Sequence, residues 1–138
     1  MEIKEIFKFI KKQKTAVITS IDENGYPATR AMLTPRIIEG KYLYFSTNTS
    51  SNKVNQYLKN KKACVYFYKK GKIKYQGVMI KGSMEVCQDA ITKERVWRFG
   101  DSLFYKQGVT DPDYCVLKFE CQEMEYYCDL KIEHISLV

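Results

Sequence analysis

The chain has 138 residues, which suits one domain and allows a substantial buried core. Hydrophobic residues make up 45% and charged residues 28% of the sequence, and these values exclude an intrinsically disordered protein. The net charge of +7 leaves open an anionic ligand, a nucleic acid, or simply a lysine-rich surface.

No run of residues approaches the roughly 18 apolar positions that cross a membrane, and residues 1–14 lack the apolar segment of a signal peptide. We therefore expect no membrane partner and a cytoplasmic protein. The cysteines include no CxxC pair, so we expect reduced, buried thiols rather than disulfides; they are Cys64, Cys87, Cys115, Cys121 and Cys128.

The first half of the chain predicts a helix followed by strands. The spacing of Ile3, Ile6, Phe7 and Ile10 is typical of an amphipathic helix. Residues 15–21 and 26–33 are rich in β-branched and apolar side chains and flank a Glu-Asn-Gly turn at 23–25, which predicts a β-hairpin. Residues 38–47 predict a further turn and strand, with Gly40 in the turn.

The second half alternates between helices and strands. Ser51 is a candidate N-cap for a short helix from about Asn52 to Lys59. Residues 63–68 and 75–86 predict strands joined by a turn at 69–72, and glycines at 77 and 82 indicate a bulge, a bend or a close backbone approach. Asp89 is a candidate N-cap for a helix over 91–99, and residues 114–120 and 123–130 predict the last strand pair.

These elements amount to roughly seven strands and three short helices. Such a pattern predicts a mainly β fold, a small β-barrel with short helices, in a single domain spanning residues 1–138. No linker, internal repeat or low-complexity segment interrupts it.

Metal and acid–base chemistry are not favoured by the sequence. The chain has one histidine, His134, so the grouped ligands of a zinc site are missing, and pairing it with Cys128 as base and nucleophile has no supporting signature. Asp111 and Asp113 lie in a proline-containing turn, where aspartate is common for backbone reasons.

A phosphate site is favoured at the start of the helix that Ser51 precedes. A helix N-terminus offers free N–H groups, and the hydroxyls of Thr47 and Ser51 could donate to phosphate oxygens. Lys53 falls in the first turn, where a cation is unfavourable unless an anion compensates it. Arg30, a charged residue within a half-buried strand, could add a second cation. The alternatives are an outward-pointing arginine and an ordinary lysine-rich surface helix.

The sequence resembles the pyridoxamine 5′-phosphate oxidase-like superfamily in the order of its blocks. These blocks are residues 22–35, 41–53 and 75–86, a tryptophan-containing helix, and residues 110–120. These proteins are FMN-binding split β-barrels, and the similarity in character is greatest to small members of the general stress and nitroimidazole-resistance types. The resemblance covers nearly the whole chain.

The resemblance implies a homodimer with flavin sites at the subunit interface. It assigns the phosphate to Arg30, Thr47, Asn48, Ser51 and Lys53. It places the backbone of Met32, Leu33 and Thr34 along the isoalloxazine ring, and Gln76 and Gly77 at its pyrimidine edge. An aromatic residue of the second subunit covers the ring in this family, and here that position is Tyr127.

Two departures affect the expected substrate. The vitamin B6 oxidases carry an arginine beside the phosphate lysine, where this chain has Asn52. They also carry a C-terminal Arg-His-Arg segment, where this chain has only Lys131 and His134. We therefore expect an FMN-dependent oxidoreductase acting on an unidentified small molecule, with a reduced nicotinamide as a candidate donor, rather than a pyridoxamine phosphate oxidase.

Several alternatives stay open at this point. The protein could bind flavin without turnover, as a stress or sensor protein, or carry FAD, a deazaflavin or haem in place of FMN. A nucleic-acid-binding barrel is less favoured because the lysines fall mostly in predicted turns and helices. Trp97 and Phe99 could line the substrate side or simply pack in the core.

Overall fold

Eight strands and three α-helices make up the computed structural model, which describes residues 1–138. The helices are α1 Ile3–Lys12, α2 Asn52–Lys59 and α3 Ala90–Val96. The strands are β1 Thr15–Ile21, β2 Pro27–Leu33, β3 Ile37–Glu39, β4 Tyr42–Asn48, β5 Lys62–Lys70, β6 Tyr75–Cys87, β7 Tyr114–Cys128 and β8 Lys131–Ser136. Two single 3₁₀ turns, Asp101–Leu103 and Gly108–Thr110, follow α3.

All strands pair in antiparallel fashion in one strongly curved sheet. The order is β2-β1-β5-β6-β7-β4-β3, and β8 pairs with β7 as well. Strand β7 therefore has β6 along one edge, while its other edge pairs first with β4 and then with β8. The chain forms the mainly β barrel that the sequence predicts.

Alternation of side chains along the strands separates an inner from an outer face. Inward residues such as Ile18, Val65, Ile80 and Met124 form the main core, which α1 and α2 also contact. A second, smaller core lies on the other face of β4 and β7, where Tyr44, Tyr114 and Val116 pack against Val96 of α3; Cys87 also belongs to it.

Most predicted elements are confirmed within about two residues. The hairpin between β1 and β2 turns at Gly25, whose φ of 82° lies in the left-handed region. Asp89 caps α3, because its carboxylate accepts a hydrogen bond from the backbone N–H of Thr92 at 3.0 Å. Strand β6 shifts register between Lys81 and Gly82, which confirms the irregularity that the glycine indicated.

The predicted strand pair at 114–120 and 123–130 is wrong. Residues Tyr114–Cys128 form one continuous strand, and its hairpin partner is β8. Cys121, in the expected turn, is fully buried, and its N–H donates to the carbonyl of Lys41 at 2.8 Å. The actual turn lies at Asp129 and Leu130, two non-glycine residues with positive φ, so it carries no glycine signal.

Helix α3 is also shorter than predicted. It ends at Val96, so Trp97 and Phe99 lie beyond it. The segment that follows is anchored by Arg36, whose guanidinium donates two hydrogen bonds, of 2.5 and 2.9 Å, to the Asp101 carboxylate. These bonds hold the pKa of the Asp101 carboxyl below its ordinary value.

The cysteines are unpaired, but they are not uniformly buried. Cys87, Cys115 and Cys121 are buried, whereas Cys64 and Cys128 are partly exposed. Cys87, which has the least apolar sequence neighbours, is nevertheless enclosed by the second core. None of the three helices has the length and the apolar composition of a membrane-spanning helix.

Replacement of Gly82 by alanine should destabilise the fold severely. A Cβ atom at this position would lie 1.9 Å from the carbonyl oxygen of Glu120 and 2.9 Å from the ring of Phe119. Because the closest atom is backbone of the adjacent strand, we expect the free energy of unfolding to fall by about 3 kcal/mol. Chemical denaturation monitored by circular dichroism measures this change.

Gly77→Ala is the matched control in the same strand. Its Cβ would meet the hydroxyl of Tyr66 at 2.4 Å, at the far end of a side chain that can move. We expect a loss of only about 1 kcal/mol there. Equal losses in the two variants would show that the approach of Glu120 does not require glycine.

Candidate functional site

The loop before α2 is fixed by the turn that leads into β7. The N–H groups of Thr49 and Ser50 donate to the carbonyl and the carboxylate of Asp113, at 2.6 and 2.8 Å. The hydroxyl of Thr49 donates to the carbonyl of Pro112 at 2.9 Å. The carboxylate of Asp111 likewise accepts from backbone N–H groups. Both aspartates therefore serve the backbone, as the sequence suggests.

Ser51 occupies the N-cap position of α2 but does not cap it with its side chain. Its backbone is extended, with φ −73° and ψ 149°, and its hydroxyl makes no hydrogen bond to the helix. The Oγ atom is buried and has no partner at all. An unsatisfied buried hydroxyl costs about 1–3 kcal/mol, so a bound polar group is the natural partner for it.

Arg30 lies on the inner face of β2, opposite the buried Ile18. Its guanidinium donates to the hydroxyl of Ser20 at 3.1 Å, and Ser20 donates to the side-chain oxygen of Gln56 on α2. This chain of hydrogen bonds holds the arginine between β1 and α2. This placement excludes the outward-pointing alternative for Arg30, whereas its role as a phosphate ligand stays a prediction.

Lys53, in the first turn of α2, is half-buried and lies near enough to Arg30 for the two charges to interact. Burial lowers the pKa of its amine, and the positive charge of Arg30 lowers it further. Neither cation forms an ion pair with a carboxylate. Two neighbouring cations without a counter-charge, at a helix N-terminus, make a site that fits an anion such as a phosphate.

The remaining predicted phosphate residues flank this pair. Thr47 is buried near the end of β4, opposite Cys115. The amide of Asn48 donates to the hydroxyl of Ser50 at 2.8 Å and so supports the loop. Ser20 was not predicted to belong to this site, although a serine at an inward position of β1 was a readable signal. Gln56 was not predicted either, because only the packing of α2 against the sheet brings it to Ser20.

The residues predicted to contact a flavin ring fall into two groups. In the first, at the end of β2, the side chain of Met32 packs against the core, whereas that of Leu33 is 78% exposed on the outer face. The hydroxyl of Thr34 is buried and has no partner. This group follows Arg30 directly along β2.

The second group lies at the junction of β6 and β7. The amide of Gln76 donates to the hydroxyl of Tyr126 at 2.9 Å, on the inner face. Gly77 and Tyr127 are opposite each other on the outer face, where Tyr127 packs edge-on against Tyr75 at 5.7 Å. Strands β1 and β5 separate β6 from β2, so one chain does not bring the two groups together.

Trp97 and Phe99 differ in their surroundings. The indole of Trp97 packs edge-on against Tyr114 at 4.9 Å and contacts Tyr105 in the second core. Phe99 is fully exposed. Of the two interpretations of Trp97, the structure favours core packing.

The sequence model for pyridoxamine 5′-phosphate oxidase matches residues 3–128, almost the whole chain. The chain belongs to the pyridoxamine 5′-phosphate oxidase family. Among solved structures, it is 34% identical to a Clostridium acetobutylicum protein related to general stress protein 26, with a TM-score of 0.82. That alignment covers 96% of this chain and 92% of the other. The fold is therefore the split barrel of this family.

Two more distant structures share the fold alone. A Bacteroides thetaiotaomicron protein with a suggested role in 5-nitroimidazole resistance is 17% identical, with a TM-score of 0.73 over 92% of this chain and 84% of that one. A heme binding protein from Mycobacterium smegmatis is 10% identical, also at 0.73, over 93% of this chain and 55% of that one. No match was found among curated proteins.

Ser51→Ala should leave the stability of the ligand-free protein unchanged or raise it by up to about 1 kcal/mol. The substitution breaks no hydrogen bond and removes a buried hydroxyl without a partner. Thermal unfolding of the protein without ligand measures the effect.

Asp89→Ala is the control, because Asp89 does cap its helix through Thr92. We expect that variant to lose about 1 kcal/mol. If Ser51→Ala lost as much as Asp89→Ala, Ser51 would be an ordinary N-cap and not a ligand for a bound anion.

Proposed function

We propose that this chain binds FMN between two copies of itself and acts as a flavin-dependent oxidoreductase on a small molecule. The main support is the pair Arg30 and Lys53, which have no carboxylate partner and lie near the buried, unpartnered hydroxyl of Ser51. A phosphate would neutralise both cations and accept the missing hydrogen bond of the hydroxyl.

The proposed holders of the phosphate are Arg30, Thr47, Ser51 and Lys53, with Asn48 supporting the loop. The guanidinium and the amine supply charge, and the N–H groups at the start of α2 supply further donors. The bound flavin supplies the redox chemistry, so the protein needs no acid–base pair of its own. This agrees with the structural roles of Asp111 and Asp113.

The proposed ring site requires a homodimer. Tyr127 points to the outer face and is separated from β2 of its own chain by β1, β5 and β6. Four strand spacings amount to roughly 19 Å, beyond the reach of a tyrosine side chain. Tyr127 of a second copy could cover a ring lying along Met32, Leu33 and Thr34. The exposure of Leu33 supports this arrangement, because an uncovered leucine gains from burial.

Haem is the second candidate cofactor, because the mycobacterial structure with this fold is named a heme binding protein. The only histidine here, His134, is exposed on β8, opposite Glu125. It is separated from Arg30 on β2 by several strands of the sheet, whereas the two cations that support the proposed phosphate site lie near each other. FMN is therefore the better supported cofactor, and an absorbance spectrum distinguishes the two.

The protein should retain flavin absorbance bands after incubation with FMN and desalting. Fluorescence titration should give a much lower Kd for FMN than for riboflavin, which lacks the phosphate. Arg30→Gln combined with Lys53→Gln should weaken FMN binding about hundredfold, because each charged hydrogen bond typically contributes about a factor of ten or more. Riboflavin binding should change little.

Lys59→Gln combined with Lys61→Gln is the matched control, since both lysines are exposed and their loss removes the same charge. Its FMN affinity should stay within about twofold of the unmodified protein. The proposed site would be contradicted if the Arg30 and Lys53 variant kept an FMN affinity within about threefold of the unmodified protein. Riboflavin binding as tightly as FMN would contradict it as well. Bound flavin that neither NADH nor NADPH reduces would favour the non-catalytic alternative.

The affinity for FMN should fall as the pH rises through the lowered pKa of Lys53. Burial and Arg30 lower that pKa, so the amine loses its proton before an exposed lysine would. Because phosphate favours the charged amine, binding should take up protons in this range. Titration of FMN and riboflavin across alkaline pH checks this. Lys53→Gln should flatten the FMN profile, and a profile unchanged by that substitution counts against the assignment.

A further inference from the structure

A groove of about 710 Å³ lies between α1 and the segment from the end of β2 to the start of β4. Its volume is in the usual range of small-molecule sites. No acidic side chain lines it, whereas six cationic side chains do: Lys4, Lys8, Lys11, Arg36, Lys41 and Arg98. We call it the basic groove.

Most of these cations lack a counter-charge. Arg36 and Lys41 form ion pairs with Asp101 and Glu120. The three lysines of α1 are spaced i, i+4 and i+7, so they share one face of the helix, and none forms an ion pair. Arg98 also forms no ion pair, and its guanidinium donates a hydrogen bond to the backbone carbonyl of Arg36 at 3.0 Å.

The groove also has apolar walls and an unsatisfied hydroxyl. Its hydrophobic lining consists of Ile3, Phe7, Ile38 and Leu137. Thr34 belongs to the lining as well, and its hydroxyl is buried without a hydrogen-bond partner. A lining that combines cationic and apolar side chains suits a ligand with an anionic group and an apolar body.

A membrane surface fits these observations less well. An interfacial helix presents its apolar face to lipid, but the main apolar residues of α1, Ile6, Phe9 and Ile10, are buried in the protein core. Only Ile3 and Phe7 face the groove, which is concave. A small molecule is therefore the favoured occupant.

We propose that the basic groove binds a small organic anion with an apolar body. The backbone of Met32–Thr34, the proposed flavin strip, continues directly into Pro35 and Arg36 of the groove lining. A ligand in the groove would therefore lie next to the flavin ring. On the proposed function, on which this last step rests, such an anion is the substrate class.

Anilinonaphthalene sulfonate, an aromatic anion that fluoresces in apolar sites, is a suitable probe. It should bind the full chain saturably, and far more tightly than N-phenylnaphthylamine, its uncharged counterpart. Replacement of Lys4, Lys8 and Lys11 by glutamine should weaken its binding about tenfold, by removing three unpaired cations. Replacement of Lys69, Lys70 and Lys72, which are exposed and outside the groove, removes the same charge and should have little effect.

Equal affinities in the groove variant and the unmodified protein would overturn the proposal. So would equal weakening in the two triple variants, which would indicate general charge attraction, or tight binding of the uncharged probe. Loss of affinity for phosphatidylglycerol vesicles, with unchanged affinity for the sulfonate, would assign the groove to a membrane instead. Unchanged thermal midpoints show that the variants fold.

FMN affinity, measured on the same proteins, separates this proposal from the flavin function. The groove lysines are not among the proposed phosphate ligands, so FMN should bind the groove variant normally. If all variants bind FMN and the groove substitutions do not change sulfonate binding, only the groove proposal is contradicted. If the protein does not bind FMN but the groove substitutions still weaken sulfonate binding, the flavin function and the substrate assignment are wrong. The groove would then remain as a binding site for an organic anion.

Discussion

Strand β7 is the element on which the rest of the barrel depends, because three other strands use its backbone hydrogen-bonding groups. It pairs with β6 along one edge and with β4 and β8 along the other. The close approach of Glu120 to Gly82 is a condition of this arrangement. Asp113, just before β7, then fixes the loop that begins α2. The position of the candidate phosphate site therefore follows from the pairing of a strand some sixty residues away in sequence.

In the ligand-free protein, the candidate site lowers the stability of the fold, because its polar groups are not fully paired. Burial, and then the positive charge of Arg30, lower the pKa of Lys53, and the buried hydroxyl of Ser51 has no partner. Replacing these groups by neutral or apolar ones would relieve both costs. Local destabilisation of this kind is typical of sites arranged for a bound group rather than for folding.

Features of the structure that depend on interactions between residues close in sequence were predictable, and those that depend on distant residues were not. The bounds of helix α2 were predictable, since the residue type at its N-cap position and its apolar spacing are local signals, whereas the bonds of its preceding loop to the distant Asp113 were not. The continuity of β7 was not, because Cys121 carries no strand signal that separates it from a turn, and the turn at Asp129 and Leu130 lacks glycine. Gln56 reaches Ser20 only through tertiary packing. For the flavin ring, contacts between two chains are expected, and no pattern in one sequence determines their geometry.

The anchoring of the segment between α3 and β7 has a consequence for divergence within the family. Asp101 holds one end through Arg36, and Asp111 and Asp113 hold the other. Between them lies a tip, residues 102–110, in which Tyr105 packs in the second core, but no backbone hydrogen bond joins the tip to the loop before the candidate phosphate site. Its exposed Leu103 and Phe104 can be exchanged, or the tip lengthened, without moving α2. Selection can thus remodel the surroundings of the site one loop at a time, while the half that carries the candidate phosphate site keeps its geometry.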